Sequence, residues 1–169
     1  MGDHRVGKTC LIENYLTNEF LEAVFPPDVF VYSGQKEVGG TSVDLEIHDA
    51  SGDSGEERLV DKRKRAYRDA DCFVICVAAD KRQSYDNVRK WKDEIQTIVS
   101  DKPIVLVLTK SDSDETQDDL VALPMLRKKS REEGLQGAMQ TSAKDFYDLN
   151  VQIAFERILA TAYAWKYNE

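Results

Sequence analysis

The chain has 169 residues, of which 41% are hydrophobic and 32% charged. That length suits one domain with a core of its own, and that mix excludes a disordered polymer. The 23 basic and 31 acidic residues leave a net charge of −8, which argues against a nucleic-acid binder, because phosphate backbones need a basic face.

In chain order, residues 8–17 read as a helix. Residues 20–29 contain Pro26 and Pro27 and read as an extended loop. Residues 30–38 read as a strand, followed by the hairpin signal Gly39-Gly40. From Thr41 to His48, the apolar Val43, Leu45 and Ile47 alternate with Asp44, Glu46 and His48, which predicts a strand with one buried face. Residues 50–57 read as loop and 58–68 as a charged helix. Residues 72–78 (CFVICVA) and 104–108 (IVLVL) are uninterrupted apolar runs, suited to parallel strands buried on both faces. Between them, Val88, Trp91, Ile95 and Ile98 predict a helix over 84–99 with Ser84 as its N-cap. Residues 118–133 read as a helix that Pro124 either starts or kinks, 137–141 as a short strand, and Val151, Phe155, Ile158, Leu159 and Ala162 as one face of a last helix. Buried strands alternating with helices predict an α/β, doubly wound, mostly parallel sheet with helices on both faces.

Three cysteines (10, 72 and 76) and two histidines (4 and 48) give no zinc-ligand spacing. The thiols read as reduced interior residues, in keeping with a cytoplasmic setting. The longest apolar run is far shorter than the ~20 residues a membrane helix needs.

Four short motifs carry the chemistry. Gly2-Asp3-His4-Arg5-Val6-Gly7-Lys8-Thr9 fits Gly-x-x-x-x-Gly-Lys-Ser/Thr. Its glycines let the backbone curl so that N–H groups point at phosphate oxygens, and the helix behind presents its positive end to the same anion. Lys8 reaches the β- and γ-phosphates, and the Thr9 hydroxyl holds magnesium. Asp49-Ala50-Ser51-Gly52 follows the alternating strand. Asp49 suits a magnesium ligand, and Gly52 can bring its N–H near a γ-phosphate. Thr109-Lys110-Ser111-Asp112 follows one buried strand, and Thr141-Ser142-Ala143-Lys144 follows the last short one. All four lie past strand ends, the edge at which doubly wound sheets bind ligands. The first motif alone serves ATPases, kinases and GTPases alike.

The ordered set GxxxxGKT, DxxG, TKxD and TSAK resembles the Ras superfamily of small GTPases over essentially the whole chain, residues 1–169. Residues 7–11 and Thr109-Lys110 look like the Rho branch. Asn87-Val88-Arg89-Lys90-Trp91 and the TSAK motif look like the Rab and Ras branches. The resemblance implies a guanine-nucleotide switch that binds GTP, GDP and Mg2+. It places Asp112 on the guanine edge, Lys110 alongside the base, and the Ala143 N–H on the guanine carbonyl. Thr109, Ser142 and Lys144 shape the pocket, and Phe20 packs edge-on to the base. It also implies effector and regulator surfaces, for an exchange factor or GAP, at residues 24–32 and 53–66.

Several positions depart from that pattern. Where the family carries a magnesium-sensing Thr, this chain has Pro27 or Asp28. Proline offers no donor, and Asp28 would ligate magnesium but repel a γ-phosphate. Where the family has a water-orienting Gln, it has Asp53. Beside Lys8, Asp53 thus stands in the catalytic set. His4 and Arg5 replace small residues where an arginine finger would enter. Together these imply slow hydrolysis and poor GAP response. The alternative is a pseudo-GTPase scaffold that does not cycle nucleotide. The basic run 62–65 reads as a solvated helix face. No cysteine lies among residues 164–169 to accept a prenyl anchor. The family also places a buried strand before the first glycine of the phosphate loop, whereas here only Met1 precedes Gly2. The sheet is therefore expected to lack that strand and to leave two strand edges unpaired.

Overall fold

The computed structural model describes residues 1–20, 29–50, 52, 57–113, 119–145 and 149–167. Helix α1 (Lys8–Thr17) leads into a hairpin of β1 (Val29–Val38) and β2 (Thr41–Ala50). Gly39 and Gly40 both hold positive φ, 56° and 82°, as a two-residue turn between right-twisted strands requires. Along β2 the residues on one face are exposed and those on the other half-buried, as the alternation predicts. Then come α2 (Glu57–Ala66), β3 (Phe73–Ala78), α3 (Arg82–Asp86), α4 (Val88–Gln96), β4 (Ile104–Thr109), α5 (Leu123–Glu132), β5 (Ala138–Gln140) and α6 (Asn150–Tyr167).

Strands β3, β4 and β5 pair in parallel in that order. The two apolar runs are buried along nearly their whole length, because helices cover both faces. On one face Phe73, Ile75 and Val77 of β3 and Ile104, Leu106 and Leu108 of β4 pack against Val88, Trp91 and Ile95 of α4 and Leu126 of α5. On the other, Cys76, Ala78, Val105 and Val107 pack against Leu11, Ile12 and Tyr15 of α1 and Val151, Phe155 and Ile158 of α6. Tyr15 and Phe155 stack with ring centroids 3.8 Å apart. This is the doubly wound arrangement the sequence predicts, and it points the C-terminal ends of β3, β4 and β5 to one edge.

The hairpin forms a separate two-stranded sheet, and no pairing joins β2 to β3 among the described residues. Along the outer edge of β3, Met1 takes the place of a strand residue. Its amino group donates to the Val74 carbonyl (2.8 Å), and its carbonyl accepts from the Cys76 N–H (2.9 Å). Burial lowers the pKa of that ammonium.

Three local expectations need correction. The helix over 84–99 is two helices, and Ser84 is not its cap. The first begins at Arg82, and the buried Ser84 hydroxyl donates to the Lys81 carbonyl (2.6 Å) and accepts from the Ala78 N–H (3.0 Å), pinning the helix to the end of β3. The helix expected from 118 begins at Leu123. Val121 is tied to β3 through its N–H and the Ala79 carbonyl (2.9 Å), and Pro124 sits in the first turn, where its missing donor costs nothing. Finally, the basic run is not one solvated face. Lys62 and Arg65 are exposed, but Arg63 is fully buried. Its guanidinium grips Glu94 of α4 through Nε (2.8 Å) and Nη2 (3.0 Å), and the Tyr67 hydroxyl donates to the same carboxylate (2.6 Å). Cys10, Cys72 and Cys76 are not joined in disulfides, and burial pushes Cys72 up to about 12.

Candidate nucleotide site

The phosphate loop is built by its glycines. Gly2 has φ +125°, and a Cβ there would lie 2.5 Å from the Cys76 carbonyl oxygen, so no side chain fits between the loop and β3. Gly7, at φ +85°, is the N-cap of α1. It supplies no side chain to cap the helix, and the first turn carries no acid, so the positive end of the helix dipole is left without a capping side chain or a neutralising charge of its own. The loop is anchored below by Thr109, whose hydroxyl donates to the Val6 carbonyl (2.5 Å).

Lys8 curls back over this loop. Its ammonium donates to the carbonyls of Gly2 (3.1 Å) and Asp3 (2.7 Å), and burial lowers its pKa. A cation so poorly solvated favours an anion beside it. The Thr9 hydroxyl donates to Asp49 Oδ2 (2.5 Å), and both residues are buried. The hydrogen bond brings a hydroxyl and a carboxylate of distant segments into one pair. Gly52 lies directly on the loop. A Cβ there would come within 2.5 Å of the Gly2 carbonyl oxygen and the His4 nitrogen. His4 and Arg5 are exposed, and Arg5 holds a left-handed φ of 60°. Val6 is buried core.

The second half of the site forms where β4 and β5 end. Ser142 Oγ donates to Asp112 Oδ1 (2.6 Å) and accepts from the N–H groups of Lys144 and Asp145. The Ser111 N–H donates to the Thr141 carbonyl (3.1 Å), lacing the two loops together. Lys110 takes φ 55°, and its ammonium pairs with Asp80 (2.9 Å) past the end of β3. Asn14 of α1 donates to the Ala143 carbonyl (3.0 Å), which holds that loop against the first helix. Phe20 is half-buried just beyond the C-terminus of α1. Pro27, Asp28 and Asp53, with the rest of 24–28 and 53–56, lie outside the described residues, whereas 29–32 belong to β1 and 57–66 to α2.

Sequence reasoning missed Asn14 and Asp80. Asn14 sits within a helix pattern and carries no motif, and only its burial sets it apart. Asp80 follows the buried strand by two residues, so its position past a strand end is the one available signal.

A glycine-built loop at a helix N-terminus, a half-buried Lys, a Thr–Asp pair and two laced loops at one sheet edge form a candidate phosphate-loop nucleotide site of the doubly wound class. The sequence model of the Ras family matches residues 1–164. Ras-related protein Rab-26 of Rattus norvegicus is 34% identical over 160 residues, covering 94% of this chain and 60% of that protein. Ras-related protein Rab-9B of Homo sapiens is 34% identical over 162 residues, covering 92% and 77%. The GTP-binding protein RHO1 of Candida albicans is 33% identical over 159 residues, covering 90% and 77%. The chain belongs to the Ras family of small GTPases. It spans about three fifths of the length of the Rab-26 relative.

Proposed function

We propose that this protein binds GTP and GDP with magnesium and acts as a guanine-nucleotide switch with slow turnover. The observation that carries this reading is the joining of the four motifs at one sheet edge. Lys8 lies over the phosphate loop, Thr9 meets Asp49, and Asp112 is fixed by Ser142 beside the Ala143 loop.

Each part suits one portion of the nucleotide. The bare N-terminus of α1 and the Lys8 ammonium suit the phosphates. In the described state Lys8 satisfies itself on two backbone carbonyls, and a phosphate oxygen is a stronger acceptor for the same donors. Thr9 and Asp49 are two hard oxygen donors, and no group of three or more His, Cys, Asp or Glu able to hold a metal occurs among the described residues. Such a pair fits Mg2+, which takes one or two protein ligands and completes its shell with phosphate oxygens and water. Bound there, the ion would neutralise phosphate charge. Asp112 keeps one carboxylate oxygen on Ser142 and offers the other to the paired N–H donors of guanine. Adenine presents no such pair, and a base seated there would leave the Asp112 acceptor covered and unpaired, at a cost of about 1–3 kcal/mol.

Slow turnover rests on the sequence. With Asp53 in place of an amide, an acid stands where the attacking water must be oriented, and His4 stands where a finger would enter. A setting in the cytoplasm, on trafficking or cytoskeletal pathways, with exchange factors, GAPs and effectors at 24–32 and 53–66, belongs to the same proposal. No helix among the described residues is long and apolar enough to cross a membrane.

Extracting the nucleotide from purified protein and identifying it by ion-exchange chromatography tests this reading. GTP retained supports slow turnover. GDP indicates a working hydrolase, and no nucleotide supports the scaffold alternative.

A further inference from the structure

The carboxylate of Asp3 lies inside the phosphate loop, yet it does not face the phosphates. It is buried and turned toward α4. Oδ1 accepts from the Trp91 indole Nε1–H (2.7 Å), and Oδ2 accepts from the Asn87 side-chain amide (2.8 Å). The backbone carbonyl of the same residue accepts from Lys8 (2.7 Å). The next carbonyl, of His4, accepts from Lys81 (2.9 Å). Trp91 is itself immobilised. It is almost wholly buried, and the Arg63 guanidinium lies 5.0 Å above its ring.

A negative charge beside a phosphate site is a liability. It repels the ligand and competes for the lysine that should bind it. Two N–H donors remove both problems at once, because they occupy the carboxylate and hold it pointing away from the cradle. We infer that Asp3, Asn87 and Trp91 form a strut that positions the phosphate loop, so that Asp3 is a positioning residue and not a phosphate ligand. The inference rests on the nucleotide reading above. It assigns the 87–91 segment a part in phosphate affinity that neither its burial nor its helical periodicity announces. Freed from Trp91, the carboxylate would be open to Lys8, and the ammonium would be neutralised from within the loop.

The test compares GDP with GMP in competition titrations on the folded protein in magnesium buffer. Trp91→Phe keeps an aromatic ring in the core and removes the indole donor with part of the ring, a packing loss that bears on GDP and GMP alike. Its GDP affinity is expected to fall about tenfold, the value of one charge-assisted hydrogen bond. Its GMP affinity should stay within about twofold, because the strut acts on the β-phosphate end. Asn87→Ala, at a half-buried position, should show the same GDP-selective loss and serves if Trp91→Phe does not fold. Combined with Asp3→Asn, Trp91→Phe should add little, since both break one interaction. Equal losses for GDP and GMP would mean a merely structural role and overturn the proposal, as would unchanged GDP affinity in both single variants. If the unsubstituted protein binds no GDP, the nucleotide reading itself fails and takes this inference with it.

Discussion

Gly2, Lys8 and Asp112 each answer to a separate measurement. At Gly2 the left-handed φ and the 2.5 Å approach to the Cys76 carbonyl leave no room for a methyl group. Gly2→Ala should cost roughly 1–3 kcal/mol. At about 2–4 °C per kcal/mol for a domain of this size, a fall of several degrees in the thermal midpoint is expected, and an unchanged midpoint would refute the packing argument. Lys8→Met removes the cation over the loop without changing the motif's glycines, and GDP binding should be lost while the fold survives in circular dichroism. Asp112→Asn replaces an acceptor-only group by one that also donates, which opposes the two N–H donors of guanine. GDP affinity should fall by two orders of magnitude or more, on the scale of about 1–3 kcal/mol for each mismatched donor, with no loss of thermal stability, since the Asp112 side chain is exposed. At Asp53, single-turnover hydrolysis reports the predicted slowness. Asp53→Gln should speed it, and a rate in the original protein equal to that of ordinary small GTPases would contradict the reading.

Helix α2 is tied to α4 by Arg63, Glu94 and Tyr67. Burial works against the charges of both partners, yet their mutual hydrogen bonds win. They hold the Arg63 pKa up and the Glu94 carboxyl below its ordinary value of 4.5. Because the folded Glu94 gives up its proton more readily than the unfolded one, its stabilising contribution is complete above 4.5 and drains away as pH falls below it. Acid titration of the unfolding midpoint should show this loss, and Glu94→Gln should flatten it. Glu94→Gln should also cost about 3–5 kcal/mol at neutral pH, since it strands a buried guanidinium, while the double change Arg63→Met with Glu94→Leu recovers most of it. A single variant as stable as the parent would show the pair to be idle. This pair marks where the sequence stops being legible. The strands 72–78 and 104–108 are plain from their apolar runs, and the hairpin from Gly39-Gly40, because those signals are local. Arg63 reads as one of four surface cations because its neighbours in sequence are exposed, and only the turn of α2 onto α4 buries it. Ser84 likewise looks like a cap until its bond to Ala78 shows it serving the strand end.

Over the whole molecule, the four motifs stand out in sequence, but their convergence does not. Thr9 reaches Asp49 across 40 positions, and Asn14 reaches Ala143 across 129. No periodicity reports such distances, and only the parallel order β3, β4, β5 brings the loops to one edge. A ligand that joins those loops should stabilise all of them together. At a thousandfold excess over its dissociation constant it adds about 4 kcal/mol, or on the order of 10 °C in midpoint for a domain this size. The most direct test of the account is calorimetric titration of nucleotide-free protein with GDP and, separately, ADP in magnesium buffer. The account predicts one tight site for GDP and none for ADP. Equal affinity for the two, or no binding of GDP, would contradict it.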